Sequence, residues 1–286
     1  MSSAKPKTQS TQGTDTMEEQ ARHILSLSGG KDSSALAIYM RDRQPDMEYV
    51  FCDTGKELPE TYAYLDAVEA YLGKPIVRLN ADRDFDHWHQ VFGGFLPSAQ
   101  MRWCTKLLKL KPFEEYVGDD VVYSYIAIRA DENRTGYISA KPNLRPVFPF
   151  KEDGIKRDDV FRILRNSGLG MPPYYEWGRS RSGCFFCFFQ QKIEWVRLLR
   201  THPDLFEQAK QYEKVSTEEG SAFTWSQGET LEELARPERV CEIEREAQAR
   251  AERLRKGQRP QTLVQLWSGQ EIPELDPADS CLVCHK

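Results

Sequence analysis

The sequence predicts an α/β protein in which helices cover both faces of a parallel β-sheet. From Arg22 onward, short apolar runs rich in strand-forming residues alternate with segments of helical spacing. A glycine-rich loop joins the first of these strands to the first helix. The chain has 286 residues, which leaves room for roughly two domains at about 150 residues each. Alternating strands and helices form parallel sheets with right-handed crossovers. Proteins with such sheets bind their ligands at the carboxyl ends of the strands, where the glycine-rich loop lies.

The predicted elements follow in chain order. Strands are expected at HILSLS, MEYVFCD and PIVRLN, separated by helices at SALAIYMRDR and YAYLDAVEAYLG, of which the second ends at Gly73. Beyond them, QMRWCTKLLKLKPFEEYVG predicts a basic helix, and VVYSYIAIRADENR predicts a buried strand that runs into a charged loop. Three prolines between residues 142 and 149 indicate an irregular stretch. The segment DDVFRILRNSG predicts a helix capped by Asp158 or Asp159.

These patterns divide the chain into three parts. Residues 1–21 are rich in Ser, Thr and Gln and have no apolar segment, which predicts a disordered tail and no signal peptide. Residues 22–168 form the predicted α/β domain. Residues 169–286 form a cysteine-containing, mostly helical region, with a Gly- and aromatic-rich loop at GCFFCFFQQ and a charged helix interrupted near Pro237.

Composition limits the classes of function. Lys and Arg total 39 against 44 for Asp and Glu, a net charge of -5, which argues against a protein coated with positive charge to hold nucleic acid non-specifically. No run reaches the roughly 18 apolar residues of a membrane helix, so we expect a cytoplasmic protein without a membrane partner. In that reducing compartment the 7 cysteines are candidates for metal or redox chemistry rather than for disulfides.

The sharpest motif runs from Ser28 to Ser33, as SGGKDS, between the first strand and the first helix. Its glycines let the backbone approach a phosphate, while the loop N–H groups, the lysine and the serine hydroxyls donate hydrogen bonds to it. The loop is not a Walker A motif, because Asp32 rather than Ser or Thr follows the lysine. The alternative is a plain glycine turn, which is disfavoured because a turn requires neither the lysine nor both serines.

In this position SGGKDS resembles the PP-loop of the adenine nucleotide α-hydrolase families, which bind the pyrophosphate of ATP and cleave between its α and β phosphates. The resemblance implies an adenine nucleotide α-hydrolase-like fold that binds ATP with Mg²⁺, and it implies that Lys31 and Asp32 take part in catalysis. The residues it assigns to the nucleotide are Ser28, Gly29, Gly30, Lys31, Asp32, Ser33 and Ser34.

Two further segments resemble the PAPS reductase-like branch of that superfamily: FCDTGKELPETYAYLDAV at the second strand, and IRADENR farther along the chain. The first implies that Asp53, Thr54 and Gly55 line the nucleotide site, that Asp53 is catalytic, and that Glu57 lies near the metal or substrate. The second implies that Arg129 and Arg134 contact phosphates, with Arg129 catalytic. For Glu57, Glu60 and Glu132, a solvated helix face or a cap is an equally weighted alternative.

Cysteines supply the second signal. Cys104 precedes the basic stretch, and two C-x₂-C pairs occur at Cys184 to Cys187 and at Cys281 to Cys284. Thiolates at this spacing suit a tetrahedral Zn²⁺ or an iron–sulfur cluster. The other two, Cys52 in a strand and Cys241 in the charged helix, are expected to pack rather than to bind a metal.

Cys104 together with the first C-x₂-C pair is similar to the cluster-binding set of DndC/SspD-type proteins of DNA phosphorothioation, which carry a [4Fe–4S] cluster. This resemblance implies Cys104, Cys184 and Cys187 as ligands. The fourth cysteine of those proteins lies shortly after the C-x₂-C pair, and residues 190–200 of this chain contain none. We therefore expect Cys284 as the fourth ligand, and the alternatives are Cys281, a site left open for sulfur, or no fourth ligand. Ligand spacing alone also allows a zinc knuckle made from the two C-x₂-C pairs.

Basic and aromatic residues surround these cysteines. At helical spacing Arg102, Lys106 and Lys109 share a face. The basic residues that flank the C-x₂-C loop are Arg179, Arg181, Lys192, Arg197 and Arg200. The interleaved aromatic residues that could stack on bases are Trp103, Trp177, Phe185, Phe186 and Trp195. The alternative, weighted equally, is an ordinary solvated surface over an aromatic core.

Taken with the resemblance, these residues predict an ATP pyrophosphatase that adenylates a DNA backbone phosphate so that sulfur can replace an oxygen. Sulfur would come from a cysteine desulfurase through Cys104, and other subunits of a DNA-modification complex would be partners. The terminal DSCLVCHK lacks the Cys-Gly pair of true PAPS reductases, which argues against sulfonucleotide reduction. A reductase, a tRNA thiolation enzyme and a non-catalytic, ATP-sensing scaffold subunit are the alternatives.

Overall fold

A five-stranded parallel sheet forms the centre of the molecule. The computed structural model describes residues 21–134, 141–214, 223–226 and 228–255. Its strands are β1 (Arg22–Leu27), β2 (Glu48–Asp53), β3 (Ile76–Asn80), β4 (Val122–Tyr125) and β5 (Leu144–Val147). They lie in the order β3-β2-β1-β4-β5, and every neighbouring pair is parallel. The predicted parallel sheet is confirmed, whereas the predicted tail lies outside the described residues except for Ala21.

Helices follow the strands and continue beyond the sheet. Those of the first half are α1 (Lys31–Met40), α2 (Pro59–Leu72), α3 (Phe85–Val91), α4 (Trp103–Thr105), α5 (Lys111–Val117), α6 (Pro149–Glu152) and α7 (Arg157–Ser167). Those of the second half are α8 (Lys192–Thr201), α9 (Pro203–Tyr212), α10 (Leu231–Leu234) and α11 (Pro237–Arg255). Within the described ranges, no helix is long and apolar enough to cross a membrane.

Both faces of the sheet are covered, as predicted. Leu25 and Phe51 point to one face and pack in a core with residues of α1, α2 and α7. Their strand neighbours Ile24 and Val50 point to the other face and pack against Phe113 of α5. Alternate residues of a strand point to opposite faces, so a strand buried on both sides is apolar throughout.

Strand β5 was not predicted, because Pro146 lies within it. Proline has no N–H to give to a strand ladder and is therefore confined to edges and bulges. Among the described strands, β5 is an edge strand whose single partner is β4. The irregular stretch expected between residues 142 and 149 is thus wrong for these four residues. Helix α7 also differs slightly, since it begins at Arg157 and Asp159 accepts a hydrogen bond from the backbone N–H of Lys156.

The predicted basic helix is interrupted by a π-helical turn, Lys106–Leu110, between α4 and α5. A π turn widens the helix and changes the direction of the side chains that follow. Here the carbonyl of Lys109 accepts a hydrogen bond from Cys52 Sγ at 3.4 Å. Lys109 Nζ lies 3.8 Å from Glu57 Oε1, so this lysine is directed into the molecule rather than along an exposed basic face.

A second hydrophobic core forms between the segment after residue 169 and part of the α/β domain. It is aromatic, with Phe85, Trp103, Phe186, Trp195 and Trp225 all buried. Phe186 packs on Trp225 with ring centroids 4.9 Å apart and on Phe85 at 4.5 Å. Because Phe85 and Trp103 belong to the first half of the chain, this core joins the C-x₂-C segment to the region of the α/β domain that follows β3.

Candidate functional site

The glycine loop lies at the carboxyl end of β1 and leads directly into α1. Gly30 is the N-cap of this helix, and no side chain caps it. Ser33 Oγ accepts a hydrogen bond from the backbone N–H of Ser28 at 3.2 Å and lies 3.0 Å from Ser28 Oγ. The first N–H groups of a helix have no partners within the helix, and together with the helix dipole they attract anions. The geometry therefore suits the phosphate-binding role predicted for the loop.

Close packing explains both glycines. Gly29 has a φ of +70°, and a Cβ atom on it would lie 2.6 Å from Thr61 Cγ2 of α2. A Cβ on Gly30 would lie 3.0 Å from Ser182 Oγ. The hydroxyl of Tyr174 donates to the carbonyl of Gly29 at 3.0 Å. The loop is thus enclosed by α2 on one side and by the segment that leads to the C-x₂-C pair on the other.

Replacing Gly29 by alanine should destabilise the protein more than the same change at Gly73. Both glycines have a positive φ, which costs an alanine about 1–2 kcal/mol. A Cβ on Gly73 meets nothing within 4 Å, whereas one on Gly29 strikes Thr61. Overpacking of this kind adds about 1–3 kcal/mol. Urea unfolding of both variants measures the difference, and equal losses would show that Gly29 is required only for its backbone conformation.

Asp32 holds the two predicted phosphate-binding cations. Lys31 Nζ lies 2.9 Å from one oxygen of Asp32, and Arg129 Nη1 lies 3.0 Å from the other. Lys31 and Arg129 are almost fully buried, at 3% and 2% exposure. Burial raises the pKa of the Asp32 carboxyl, but the charges and hydrogen bonds of Lys31 and Arg129 outweigh it and hold the pKa below its ordinary value. Asp32 is therefore an ionised anchor that fixes the positions of both cations.

Arg129 is the centre of a wider ionic network. Its Nε lies 3.0 Å from Asp131, and its Nη1 lies 3.3 Å from Glu132. Glu132 also accepts a hydrogen bond from the backbone N–H of Arg129 and pairs with Arg134. With 7% exposure, Glu132 is not on a solvated face, so that part of the alternative is wrong, whereas its hydrogen bond from the Arg129 N–H fits a capping role. The roles of Arg129 and Arg134 at phosphates stay predictions, because carboxylates are their partners in this structure.

The Asp53–Gly55 turn follows β2 and lies beside the glycine loop. Asp53 Oδ1 accepts hydrogen bonds from the backbone N–H of Gly55 at 2.9 Å and from the hydroxyl of Tyr62 at 2.7 Å. Thr54 Oγ1 donates to Glu57 Oε2 at 2.8 Å. Glu57 is only 5% exposed. This carboxylate is therefore buried in the turn, and the alternative of a solvated position is wrong for Glu57.

Glu60 lies in the first turn of α2, yet its partners come from the second half of the chain. Its Oε1 accepts a hydrogen bond from Trp177 Nε1 at 3.0 Å and lies 2.7 Å from His202 Nε2. Glu60 thus ties α2 to the chain around α8 and α9. These contacts give Glu60 a structural role.

Three cysteines and both loops meet at one small cavity of about 40 Å³. Its walls include Ser28 of the glycine loop, Thr54, and the cysteines at positions 104, 184 and 187. Cys184 Sγ lies 3.3 Å from Thr54 Oγ1 and 4.0 Å from Glu57 Oε1. Such a cavity has room for a few water molecules. The loop predicted to bind ATP and the cysteines predicted to handle sulfur are therefore neighbours.

Burial raises the pKa of two thiols of this cavity, those of Cys104 and Cys184. Burial, with a smaller contribution from Cys187, raises the pKa of the Cys104 thiol to about 11. Burial and then the carboxylate of Glu57 raise the pKa of Cys184 well above that of an ordinary thiol. A thiol must lose its proton to ligate a metal. In the absence of a metal, Cys104 and Cys184 are therefore shielded thiols, and a metal ion would have to displace their protons on binding.

The buried guanidinium of Arg179 shapes the C-x₂-C loop. Arg179 is 1% exposed and donates hydrogen bonds to the carbonyls of Arg181, Gly183, Cys184 and Phe185. Sequence reasoning expected this arginine at a flanking basic surface. Instead, Arg179 holds the backbone that positions Cys184. Its four carbonyl partners come together only in the folded loop, so the sequence does not reveal them.

The described residues do not form a complete metal site. Among them, no group of three or more His, Cys, Asp or Glu side chains is arranged to hold a metal ion. Cys281 and Cys284 lie outside the described residues, so neither the four-cysteine cluster nor the zinc knuckle is tested. A Mg²⁺ site needs fewer protein ligands, because one or two carboxylates together with substrate phosphates usually hold the ion. Asp53, the last residue of β2, offers a carboxylate at this end of the sheet, and Glu57, which the resemblance puts near the metal or substrate, lies in the turn that follows.

The aromatic residues divide between core and groove. Trp103, Phe185, Phe186 and Trp195 are at most 5% exposed, so the core alternative is correct for them. Sequence reasoning passed over Phe188 and Phe189, which line a large groove next to the cysteine cavity. It also passed over the contacts that Tyr174 and Ser182 make with the glycine loop. Neither Cys52 nor Cys241 lines the cysteine cavity. Cys52 packs against the core, as expected, whereas Cys241 is exposed and the expectation that it packs is wrong.

Comparisons with known proteins place this architecture in a family. The model of the phosphoadenosine phosphosulfate reductase domain matches residues 22–189. An uncharacterized protein of Methanocaldococcus jannaschii is 30% identical over 201 residues, which cover 64% of this chain and 40% of that protein. The tRNA-specific 2-thiouridylase MnmA of Streptococcus pyogenes is 29% identical over 215 residues, or 62% of this chain and 55% of that enzyme. The chain thus spans about half the length of these relatives or less.

A phage protein and a solved structure complete the comparison. An uncharacterized protein of Escherichia phage 186 is 26% identical over 262 residues, which cover 69% of this chain and 76% of that protein. The crystal structure of phosphoadenylyl-sulfate (PAPS) reductase from Candida auris, a phosphate complex, gives a TM-score of 0.48 at 12% identity and covers 58% of this chain and 82% of that one. With the family model matching from β1 through the C-x₂-C loop, the chain belongs to the phosphoadenosine phosphosulfate reductase domain family, within the PP-loop superfamily of nucleotide-binding α/β proteins.

Proposed function

We propose that this protein is an ATP pyrophosphatase that adenylates an acceptor oxygen in a nucleic acid, so that sulfur can take its place. One observation carries the proposal: Ser28 of the glycine loop lines the same cavity as Cys104, Cys184 and Cys187. An activation site and a sulfur site must be neighbours if both are to reach one acceptor atom. The family match and the likeness to a tRNA 2-thiouridylase support the nucleotide and sulfur halves of the proposal.

The first step would form the adenylate. An oxygen of the acceptor attacks the α-phosphorus of ATP, the bond from that phosphorus to its bridging oxygen breaks, and pyrophosphate leaves with the electron pair. The loop N–H groups and Lys31 would neutralise the charge on the leaving pyrophosphate, and Mg²⁺ held near Asp53 would add to this neutralisation. Asp32 has a positioning role, because it holds Lys31 and Arg129 in place.

The second step would exchange AMP for sulfur. Hydrosulfide, released by a thiol reductant from the persulfide of a cysteine desulfurase, forms a bond to the activated atom. AMP then leaves with the electron pair of the bond that breaks, and the remaining proton on sulfur passes to water. Before that reduction, the thiolate of Cys104 would attack the outer sulfur of the desulfurase persulfide, so that Cys104 carries the persulfide and the desulfurase cysteine leaves as a thiolate. The desulfurase and further subunits of a modification complex are proposed partners.

The acceptor is a DNA backbone phosphate in the lead proposal, as the resemblance of the cysteine set implies. A second candidate is a tRNA base, which the likeness to the tRNA-specific 2-thiouridylases of Streptococcus pyogenes and Lactococcus lactis favours. In both cases an oxygen is adenylated and then replaced by sulfur, so the chemistry of the site is shared. The [4Fe–4S] cluster with Cys284 as fourth ligand also stays a proposal, with Zn²⁺ as the alternative. Analysis of iron, sulfide and zinc in anaerobically purified protein distinguishes them.

The proposal is tested by supplying the full chain with ATP, Mg²⁺, sulfide and either DNA or bulk tRNA. We expect acceptor-dependent release of AMP and pyrophosphate, with one sulfur incorporated for each pyrophosphate. Mass spectrometry after nuclease digestion then identifies the product as a phosphorothioate dinucleotide or a thiolated nucleoside. Release of ADP and phosphate, or AMP formation that no nucleic acid stimulates, would contradict the proposal.

A further inference from the structure

A groove of about 1060 Å³ opens beside the cysteine cavity and has no role in the site described so far. Its walls come from the loop at residues 97–100, from the end of the C-x₂-C loop, and from the face of α11 that carries Ile243 and Arg250. Pro97, Phe188 and Trp225 line both the groove and the cysteine cavity. The groove and the cysteine cavity are therefore neighbours that share these three side chains as a wall.

The wall of the groove holds a pair of aromatic rings with guanidinium groups over one of them. Phe188 and Phe189 lie with ring centroids 4.4 Å apart. The guanidinium carbon of Arg102 lies 5.1 Å from the centroid of Phe189, and that of Arg181 lies 5.6 Å from it. Phe188 and Phe189 both line the groove and are only partly buried, unlike Phe185 and Phe186 of the same loop, which are in the core. Planar rings and guanidinium groups are surfaces on which unpaired bases stack.

Two hydrogen-bond donors at this wall are unsatisfied. Within the described ranges, Arg102 Nη1 and Gln190 Nε2 are buried and have no hydrogen-bond partner. Buried donors of this kind usually have a partner, and a ligand with acceptor oxygens supplies one. Phosphate oxygens and base carbonyls are such acceptors. The chemistry of the wall therefore suits a ligand that is both anionic and aromatic.

The charges around the groove favour the same ligand. Lys192 pairs with Glu229, and Arg197 donates to the carbonyl of Gly178, so these two basic groups already have partners. Arg250 is exposed on α11, one turn beyond Glu246, the acidic residue of the groove wall. The charged residues that line the groove are Lys192, Arg197 and Arg250 against Glu246, so its wall carries more positive than negative charge, although the whole chain carries -5.

We propose that this groove binds an unpaired segment of nucleic acid, with one base stacked on Phe189, and that it leads the acceptor atom to the cysteine cavity. This inference rests on the proposed function and specifies the state of its substrate: single-stranded or locally unpaired rather than duplex. A duplex could not place a base against Phe189 without opening, because its bases are stacked on each other.

The test measures binding of fluorescein-labelled oligonucleotides of about 12 residues to the full chain by anisotropy. The probes are single-stranded DNA, single-stranded RNA of the same sequence, and the DNA duplex. Phe189→Leu keeps an apolar side chain but removes the ring, and we expect it to weaken single-strand binding about tenfold. Phe161→Leu is the matched control, since Phe161 on α7 also lies under an arginine, at 5.7 Å from Arg157, but far from the groove. Arg250→Gln should reduce the salt dependence of binding, whereas Arg162→Gln should not.

The outcomes separate this inference from the proposed function. Tighter binding of either single strand than of duplex, lost in Phe189→Leu and kept in Phe161→Leu, supports the groove, and the two single-stranded probes distinguish DNA from RNA. Equal binding of all probes, or equal effects of the two phenylalanine variants, overturns it. If the groove is overturned in this way but DNA or tRNA still stimulates pyrophosphate release, the proposed function stands. Absence of pyrophosphate release together with groove-dependent binding would remove the proposed function instead.

Discussion

Replacing Lys31 by alanine is expected to slow pyrophosphate release from ATP by about 100- to 1,000-fold, the range seen when one preorganised donor to a developing charge is removed. Lys31 is buried at the start of α1 and is fixed by Asp32 at 2.9 Å. Its ammonium group is therefore preorganised and does not have to leave solvent when ATP binds. The measurement is the rate of pyrophosphate release with saturating acceptor.

The fold of the Lys31→Ala variant should survive, because Asp32 keeps its ion pair with Arg129 at 3.0 Å. Lys74→Ala is the matched control: it also removes one lysine, but at the turn before β3, where Lys74 donates to the carbonyl of Met47 at 3.2 Å. That turn lies at the amino end of the strands, away from the glycine loop. Unchanged turnover in Lys31→Ala would remove this lysine from the mechanism.

Replacing Arg129 by glutamine should have the largest effect on stability. Arg129 is 2% exposed and faces the carboxylates of Asp32, Asp131 and Glu132. Removing one partner of a buried ionic network leaves uncompensated charge and typically costs about 3–5 kcal/mol. Urea unfolding at pH 7 measures this loss. In contrast, Arg22→Gln also breaks two ion pairs, with Glu48 and Asp120, but the side chain is 25% exposed, and the expected loss is only about 1 kcal/mol.

The loss in Arg129→Gln should also depend on pH. Despite its burial, Asp32 has a lowered pKa because Lys31 and Arg129 stabilise its ionised form. A lowered pKa in the folded state contributes stability above the unfolded pKa of about 4, and this contribution disappears as the pH falls through the folded value. The Arg129→Gln variant lacks the share of this stabilisation that comes from the Asp32–Arg129 ion pair. The difference in unfolding free energy between wild type and variant should therefore shrink below about pH 4, and a difference that is constant with pH would show that lost packing, not charge, is the cause.

Local patterns were enough to predict the central part of the fold. The strands and helices from residue 22 to 72 repeat at short range, and each has its own hydrophobic period and its own stop residue, such as Gly73. The glycine loop was placed correctly for the same reason, since a strand, two glycines and a helix are consecutive. Strand β5 escaped prediction because Pro146 is tolerated only at a sheet edge, and a strand's position in a sheet is not a local property.

The partners of the charged side chains could not be predicted from the sequence. Arg129 meets Asp32 across 97 positions of sequence, and Cys184 meets Glu57 across 127. The π turn after α4 likewise directs Lys109 toward Glu57 instead of toward a basic helix face. Spacing within one helix predicts which side chains share a face, but it does not predict what that face will contact.

By itself, the sequence determined the parallel α/β architecture and the place of the glycine loop, because hydrophobic period and turn chemistry act between near neighbours. Only the tertiary structure decided that Asp32 locks Lys31 to Arg129, that most of the predicted stacking aromatics are core, and that the cysteines share a cavity with the glycine loop. These features arise where segments far apart in the chain are buried together, and there the desolvation of a charge or a thiol selects its partner.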